Sequence, residues 1–307
     1  MLQIIGIILL ILIAGGTALA AYVKGRPAAP TDYQQKALTG GRIEKKFMAN
    51  GPFDVAVQQE TVLQVFQKYI IHYPSVLAAS DQKYPVIVLC NGSGTPLSKY
   101  PAVAAHYASW GFIVIGTEEM NAWNGFGAEM CLRHLKRLND NEAVGDAKSV
   151  FYQKVDFDKV GIVGHSQGGV GVINAITAQP HGHVYQAAVS LSPTNQELAR
   201  RLEWDYDAAR INVPTLLLAG GGGGDDWVVT GEQLAEIYDE IGSAKLMARR
   251  KNTAHNEMLY SADGYVVAWF MWHLQGDEEA RSAFAGEHPE LMANELYQDP
   301  RRDIGVP

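Results

Sequence analysis

"VGIVGHSQGGVGVINAITA" (160–178) runs from a short apolar stretch through a glycine-crowded turn into a second apolar stretch. At its centre Ser166 stands between Gly164 and Gly168, with His165 and Gln167 beside it. Such a turn can simply need small residues. It can also hold a serine hydroxyl up on a sharp strand-to-helix bend, where a side chain at 164 or 168 would strike the neighbouring strand or helix. The five-residue pattern G-x-S-x-G is weak when bare, but here an apolar strand precedes it and a helical pattern follows, as the second reading requires. Ser166 is therefore a candidate nucleophile.

The rest of the chain has to supply a sheet for that turn. From about residue 54 apolar strands and amphipathic segments alternate. Candidate strands are "DVAVQ" (54–58), "QKYIIHY" (67–73), "PVIVLC" (85–90), "FIVIGTE" (112–118), "VGIVG" (160–164), "AAVSLS" (187–192), "TLLLAG" (215–220) and "KLMARRK" (245–251). Helical patterns lie between most of the later ones, as in "AEMCLRHLKRLND" (128–140) and "TGEQLAEIYDEI" (230–241). Continuously apolar strands flanked by helices imply a parallel sheet covered on both faces, and the helix-free early strands imply an antiparallel edge. The expected fold is a mostly parallel, doubly wound α/β sheet with helices on both faces. Its ligands should bind beyond the carboxyl ends of the strands.

A serine hydroxyl is a poor nucleophile until a base removes its proton. With a serine on such an elbow, the chain order is serine, acid, histidine. Downstream of the glycine run only His255, His273 and His288 remain. His273 falls inside the helical pattern "DGYVVAWFMWHL" (263–274) and His288 in a charged stretch, whereas His255 directly follows the final strand. His255 is the expected base. A carboxylate must hold its tautomer, and "GGGGGDDWVV" (220–229) offers Asp225 and Asp226 after the "TLLLAG" strand. The five glycines read as a flexible lead into this loop, since no lysine follows in P-loop spacing. Oxyanion donors are expected from the backbone N–H of Gln167 and from the loop "NGSGT" (91–95), at Ser93, with Asn91 orienting that loop. Trp123, Phe126 and Trp227 are candidate substrate-binding residues lining an acyl pocket. Cys90 lacks a tight turn into a helix and is a poor rival nucleophile.

Composition bounds the alternatives. The 307 residues carry 25 Lys+Arg against 33 Asp+Glu, a net charge of −8, so nucleic acid is not an expected partner. Two cysteines, Cys90 and Cys131, are too few for a disulfide framework and read as buried thiols. "LQIIGIILLILIAGGTALAAYV" (2–23) has no charged side chain and, as a helix, would span roughly 33 Å. No Lys or Arg precedes the run while Lys24 and Arg26 follow it, which favours an uncleaved single-pass membrane anchor. The alternative is a secreted or periplasmic protein after signal cleavage near "ALA" (18–20). The expected organisation is an anchor or signal at 1–23, a linker at 24–40, a catalytic domain at 41–276 and a helical, charged tail at 277–307.

Taken together, "YPVIVLCNGSGTPLSKYPAVAAHYASWGFIVIGTE" (84–118), "KVDFDKVGIVGHSQGGVGVI" (154–173), "VPTLLLAG" (213–220) and "IYDEIGSAKLMARRKNTAH" (237–255) resemble the α/β-hydrolase superfamily. Within it they are similar to bacterial cutinase-like and polyester hydrolases and their dienelactone-hydrolase relatives. The resemblance covers roughly 84 to 275. It implies the α/β-hydrolase fold, Ser166 as nucleophile, His255 as base, an Asp after the seventh core strand, and the Ser93 and Gln167 amides as oxyanion hole. The run "DWVV" matches the spacing of related acids from Asp226, while ungapped counting back from "IYDE" lands on Asp225; Asp226 is preferred. The chain departs from the polyester hydrolases at Ser192, Pro193 and Thr194, where they carry a substrate-facing Trp, and it lacks their C-terminal disulfide. Both departures count against a polyester as substrate.

The expected function is a serine hydrolase cleaving small-molecule or lipid-like carboxylic esters through an acyl-enzyme, with no metal or organic cofactor. An acyltransferase would use the same triad with an alcohol or amine in place of water. A non-catalytic membrane-anchored binding module would require a broken triad. Nothing in the sequence bears on oligomeric state.

Overall fold

Alternate residues of the central strands enter two different apolar layers, and for that reason their sequence is apolar at nearly every position. The computed structural model describes residues 26–62, 65–144 and 147–305. Its strands are β1 (Val55–Thr61), β2 (Lys68–Pro74), β3 (Tyr84–Cys90), β4 (Ile113–Thr117), β5 (Ala143–Val144), β6 (Ala147–Lys148), β7 (Val155–His165), β8 (Tyr185–Leu191), β9 (Thr215–Gly221), β10 (Lys245–Lys251) and β11 (Tyr297–Asp303). Along β3, Ile87 and Leu89 join one layer, and Val86, Val88 and Cys90 join the other. Leu216 and Leu218 of β9 divide from Leu217 and Ala219 in the same way.

Nine strands form one sheet in the order β1, β2, β4, β3, β7, β8, β9, β10, β11, and β5 and β6 make a separate short hairpin. The six strands from β4 across to β10 run parallel. β1 and β2 close one edge antiparallel, and β11 closes the other. The helices are α1 (Tyr33–Lys36), α2 (Arg42–Met48), α3 (Pro101–Ser109), α4 (Phe126–Asp140), α5 (Gln167–Thr177), α6 (Gln196–Arg201), α7 (Gly231–Glu240), α8 (Asp263–Gln275), α9 (Glu278–Arg281) and α10 (Glu290–Ala293). α2, α3 and α8 cover one face of the sheet; α4, α5 and α7 cover the other. This is the α/β architecture expected from the strand and helix patterns. The parallel strands all end on the same side, and the loops that leave them there carry Asn91, Ser166, Ser192, Asp225 and His255.

Two expected boundaries are corrected. Residues 28–38 of the anticipated linker pack onto the body: the Ala28 N–H donates to Lys99 O at 2.6 Å, and Tyr33 is fully buried, its hydroxyl donating to Asp263 Oδ2 at 2.5 Å. The anticipated tail is part of the core, with Phe284 and Leu291 buried and β11 paired to β10. Its charged composition misleads because the pairing is long-range. Buried Glu44 on α2 meets Arg250 on β10 at 2.9 Å, and Tyr297 OH and Asn294 Nδ2 each donate to Glu44 at 2.9 Å. The apolar segment 2–23 lies outside the described residues. Among those described, no helix is long and apolar enough to cross a membrane.

Candidate active site

β7 ends at His165, and Ser166 takes φ 61° and ψ −122° before α5 begins at Gln167. A non-glycine residue in that region costs about 1–3 kcal/mol and persists only where its surroundings over-determine it. They do so here: the Ser166 N–H donates to Leu191 O at 2.8 Å, and the Gly169 N–H donates to Ser166 O at 2.9 Å. A methyl group at Gly164 would collide with Gly168 O, and one at Gly168 with Cys90 O. The first turn of α5 thus rests directly on the ends of β7 and β3, and only glycine permits that approach.

His255 lies on a single 3-10 turn (His255–Leu259) after β10. Its Nε2 is 2.9 Å from Ser166 Oγ and its Nδ1 is 2.6 Å from Asp225 Oδ1. Asp225 is fully buried; its Oδ2 accepts from Ser192 Oγ at 2.9 Å and from the Gly220 N–H. The preference for Asp226 is corrected. Asp226 points outward, more than half exposed, and its carboxylate accepts from Arg249 Nη2 at 2.6 Å. The cause is a tight turn in which the Val228 and Val229 N–H groups donate back to Asp225 O at 2.8 and 3.0 Å, sending adjacent side chains to opposite sides. The glycine run is more than a flexible lead, since Gly222, Gly223 and Gly224 all have positive φ and set the entry to this turn.

Gln167 opens α5, so its N–H has no intrahelical acceptor. Its side chain is turned away, with Oε1 accepting from the Ala122 N–H at 2.9 Å. The loop 91–95 leaves β3 beside the serine, and a carbon added at Gly92 would lie 3.8 Å from Ser166 Cβ. Asn91 anchors that loop from below: its Nδ2 donates to Thr117 O at 2.8 Å and Glu119 O at 2.7 Å, and its Oδ1 accepts from Tyr100 OH. Ser93 is exposed.

A family model described as PET hydrolase-like matches residues 41–301. The chain belongs to the PET hydrolase-like family. Over 199 residues it is also 27% identical to a protein of Streptomyces coelicolor named bis(hydroxyethyl) terephthalate hydrolase, a stretch that covers 63% of the chain and 57% of that relative. The family match extends past residue 276 to residue 301, within β11, which agrees with the packing of the C-terminal segment.

In this PET hydrolase-like chain the three aromatic candidates separate. Trp227 is 69% exposed with its ring 5.7 Å from that of His255, at the mouth of the site. Phe126 packs on Phe66, which leads into β2, three strands from β7 and so about 14 Å across the sheet. Trp123 is half-buried, its carbonyl accepting from Asn174 Nδ2 on α5. Trp227 alone of the three has a ring contact with His255.

Two residues at the site had no role assigned from the sequence. Ser192 stood out only as the place of a missing Trp, yet its hydroxyl is the second side-chain partner of Asp225. His165 has its ring 4.6 Å from that of His255. Neither carries a local signal, because each acts on a residue distant in the chain. Cys90 is buried, and burial pushes its thiol far above the usual range. His273 is wedged between Trp269 and Trp272, and His288 is exposed. Among the described residues no group of three or more His, Cys, Asp or Glu side chains could hold a metal ion.

Proposed function

We propose that this chain is a serine esterase that hydrolyses small carboxylic esters through an acyl-enzyme on Ser166. The observation that carries this reading is the continuous chain Ser166 Oγ, His255 Nε2, His255 Nδ1 and Asp225 Oδ1, with links of 2.9 and 2.6 Å. His255 Nε2 takes the hydroxyl proton as Ser166 Oγ attacks the ester carbonyl. Buried Asp225 accepts the Nδ1–H and stabilises the imidazolium that forms. The developing oxyanion takes the N–H groups of Gln167 and Ser93. His255 then returns its proton to the departing alcohol, and a water deprotonated by the same nitrogen releases the acid.

The name of the Streptomyces coelicolor relative and the exposed Trp227 beside His255 favour esters of aromatic acids. Between β8 and β9 the chain forms only the short α6 and one 3-10 turn, too little for a large lid, which suits a small soluble ester. A panel of p-nitrophenyl esters graded by acyl length, run beside bis(hydroxyethyl) terephthalate, tests the reading. Turnover should be accompanied by fluorophosphonate labelling of Ser166. No turnover of any ester, or labelling that persists in Ser166→Ala, would refute it.

A further inference from the structure

His165 closes β7, one residue before Ser166, and is 7% exposed. Its Nε2–H donates to the main-chain carbonyl of His255 at 2.8 Å. On its other side lies the loop 91–95: a carbon added at Gly92 would stand 3.3 Å from His165 O and 3.5 Å from His165 Nδ1. One imidazole therefore sits between the loop that bears Ser93 and the turn that bears His255, and it is fastened to a central strand of the sheet.

We propose that His165 is a positioning residue, holding the His255 main chain against β7 so that Nε2 stays in line with Ser166 Oγ; this rests on the Ser166–His255 reading above. The 3-10 turn is short, and the His255 carbonyl is one bond from its Cα, so fixing that oxygen fixes the origin of the catalytic ring. Displacement of a reacting group by about 1 Å can cost roughly 100-fold in rate. Burial, with His255 close by, pushes the His165 pKa down to about 3 and keeps the ring neutral. A neutral ring has one N–H, and the His255 carbonyl can only accept, so the proton sits on Nε2. Neutrality also matters for the base, because a cation at a ring separation of 4.6 Å would oppose the imidazolium that forms on His255.

His165→Phe keeps the ring and removes the donor, whereas His165→Gln keeps a side-chain N–H. Both are compared with wild type in the full chain by steady-state hydrolysis of p-nitrophenyl acetate, by urea denaturation, and by proton NMR of the low-field N–H that His255 Nδ1 shares with Asp225. The expected result for His165→Phe is a fall in kcat of roughly 10- to 100-fold with little change in KM, and loss of the low-field signal to solvent exchange. His165→Gln should recover most of kcat and the signal. The proposal is overturned if His165→Phe keeps wild-type kcat and a sharp low-field proton. Equal impairment of the two variants, an effect confined to KM, or a lowered urea midpoint with unchanged kcat would overturn it as well. If wild type hydrolyses no ester, the proposed function fails by itself, and the low-field proton in the three proteins still decides the role of His165.

Discussion

Asp225 and Asp226 are neighbours in the chain and opposites in environment: one is fully buried against His255 and Ser192, the other is bound to Arg249 in solvent. Replacing a buried triad carboxylate with an amide leaves the wrong histidine tautomer, so Asp225→Asn should lower turnover by roughly 10^4-fold. Asp226→Asn should stay within a few fold of wild type, since an exposed ion pair contributes about 1 kcal/mol at most. Measuring kcat/KM for both at neutral pH distinguishes them, and equal losses would contradict this geometry. Ser192→Ala removes one neutral donor from a carboxylate, an interaction of about 1.5–3 kcal/mol, and should cost about tenfold or more in kcat. Its thermal midpoint should fall by about 3–8 °C as well, because the same hydrogen bond stabilises the folded state.

At the scale of elements, the site depends on how closely α5 lies on β3 and β7. Gly168 is the point of contact, and a methyl group there meets the main chain of Cys90, which has no room to yield. Gly168→Ala should therefore destabilise the fold by about 1–3 kcal/mol and also displace the Gln167 amide, lowering activity. Gly242 is a suitable control, for a carbon added there meets nothing within 4 Å, and Gly242→Ala should stay within about 0.5 kcal/mol. Urea midpoints of the two variants provide the comparison. The turn at 222–229 shows the same dependence on backbone shape: three consecutive glycines at positive φ lead into it, and two main-chain amides close it on Asp225.

Across the described residues, stability rests on joining the segments 28–38 and 277–303 to the sheet. A protein trimmed to residues 41–276 loses Tyr33, Phe284, Leu291 and β11, and it leaves Glu44 and Arg250 without Tyr297 and Asn294. Each hydrogen bond lost from these buried charges costs about 1.5–3 kcal/mol before the lost apolar contacts are counted. The trimmed protein should fail to fold cooperatively, and urea unfolding curves recorded beside the full chain check this. Acid acts on the molecule mainly through its buried histidines, which outweigh the opposite effect of Glu119, raised by burial to about 7. Burial lowers His72 to about 4, and His165 lies at about 3. An unfolded chain takes up these protons near pH 6.5, ahead of the native state, so stability should fall as pH drops from about 6.5 to about 4. Urea midpoints across that range test the slope, and His72→Leu should flatten it. Much of this molecule is legible in its order of residues. The strand, elbow and helix around Ser166, the alternating apolar layers and the place of His255 directly after the last parallel strand depend on short-range periodicity and on glycines next to the residues they serve. Other features depend on residues far apart. Glu44 and Arg250 are 206 positions apart, and the Ser192 hydroxyl reaches across 33. Which of two adjacent aspartates faces the histidine follows from the hand of a single turn. Hydrophobic and helical patterns are local sums along the chain, whereas a hydrogen bond between distant loops exists only once the sheet has brought their ends together.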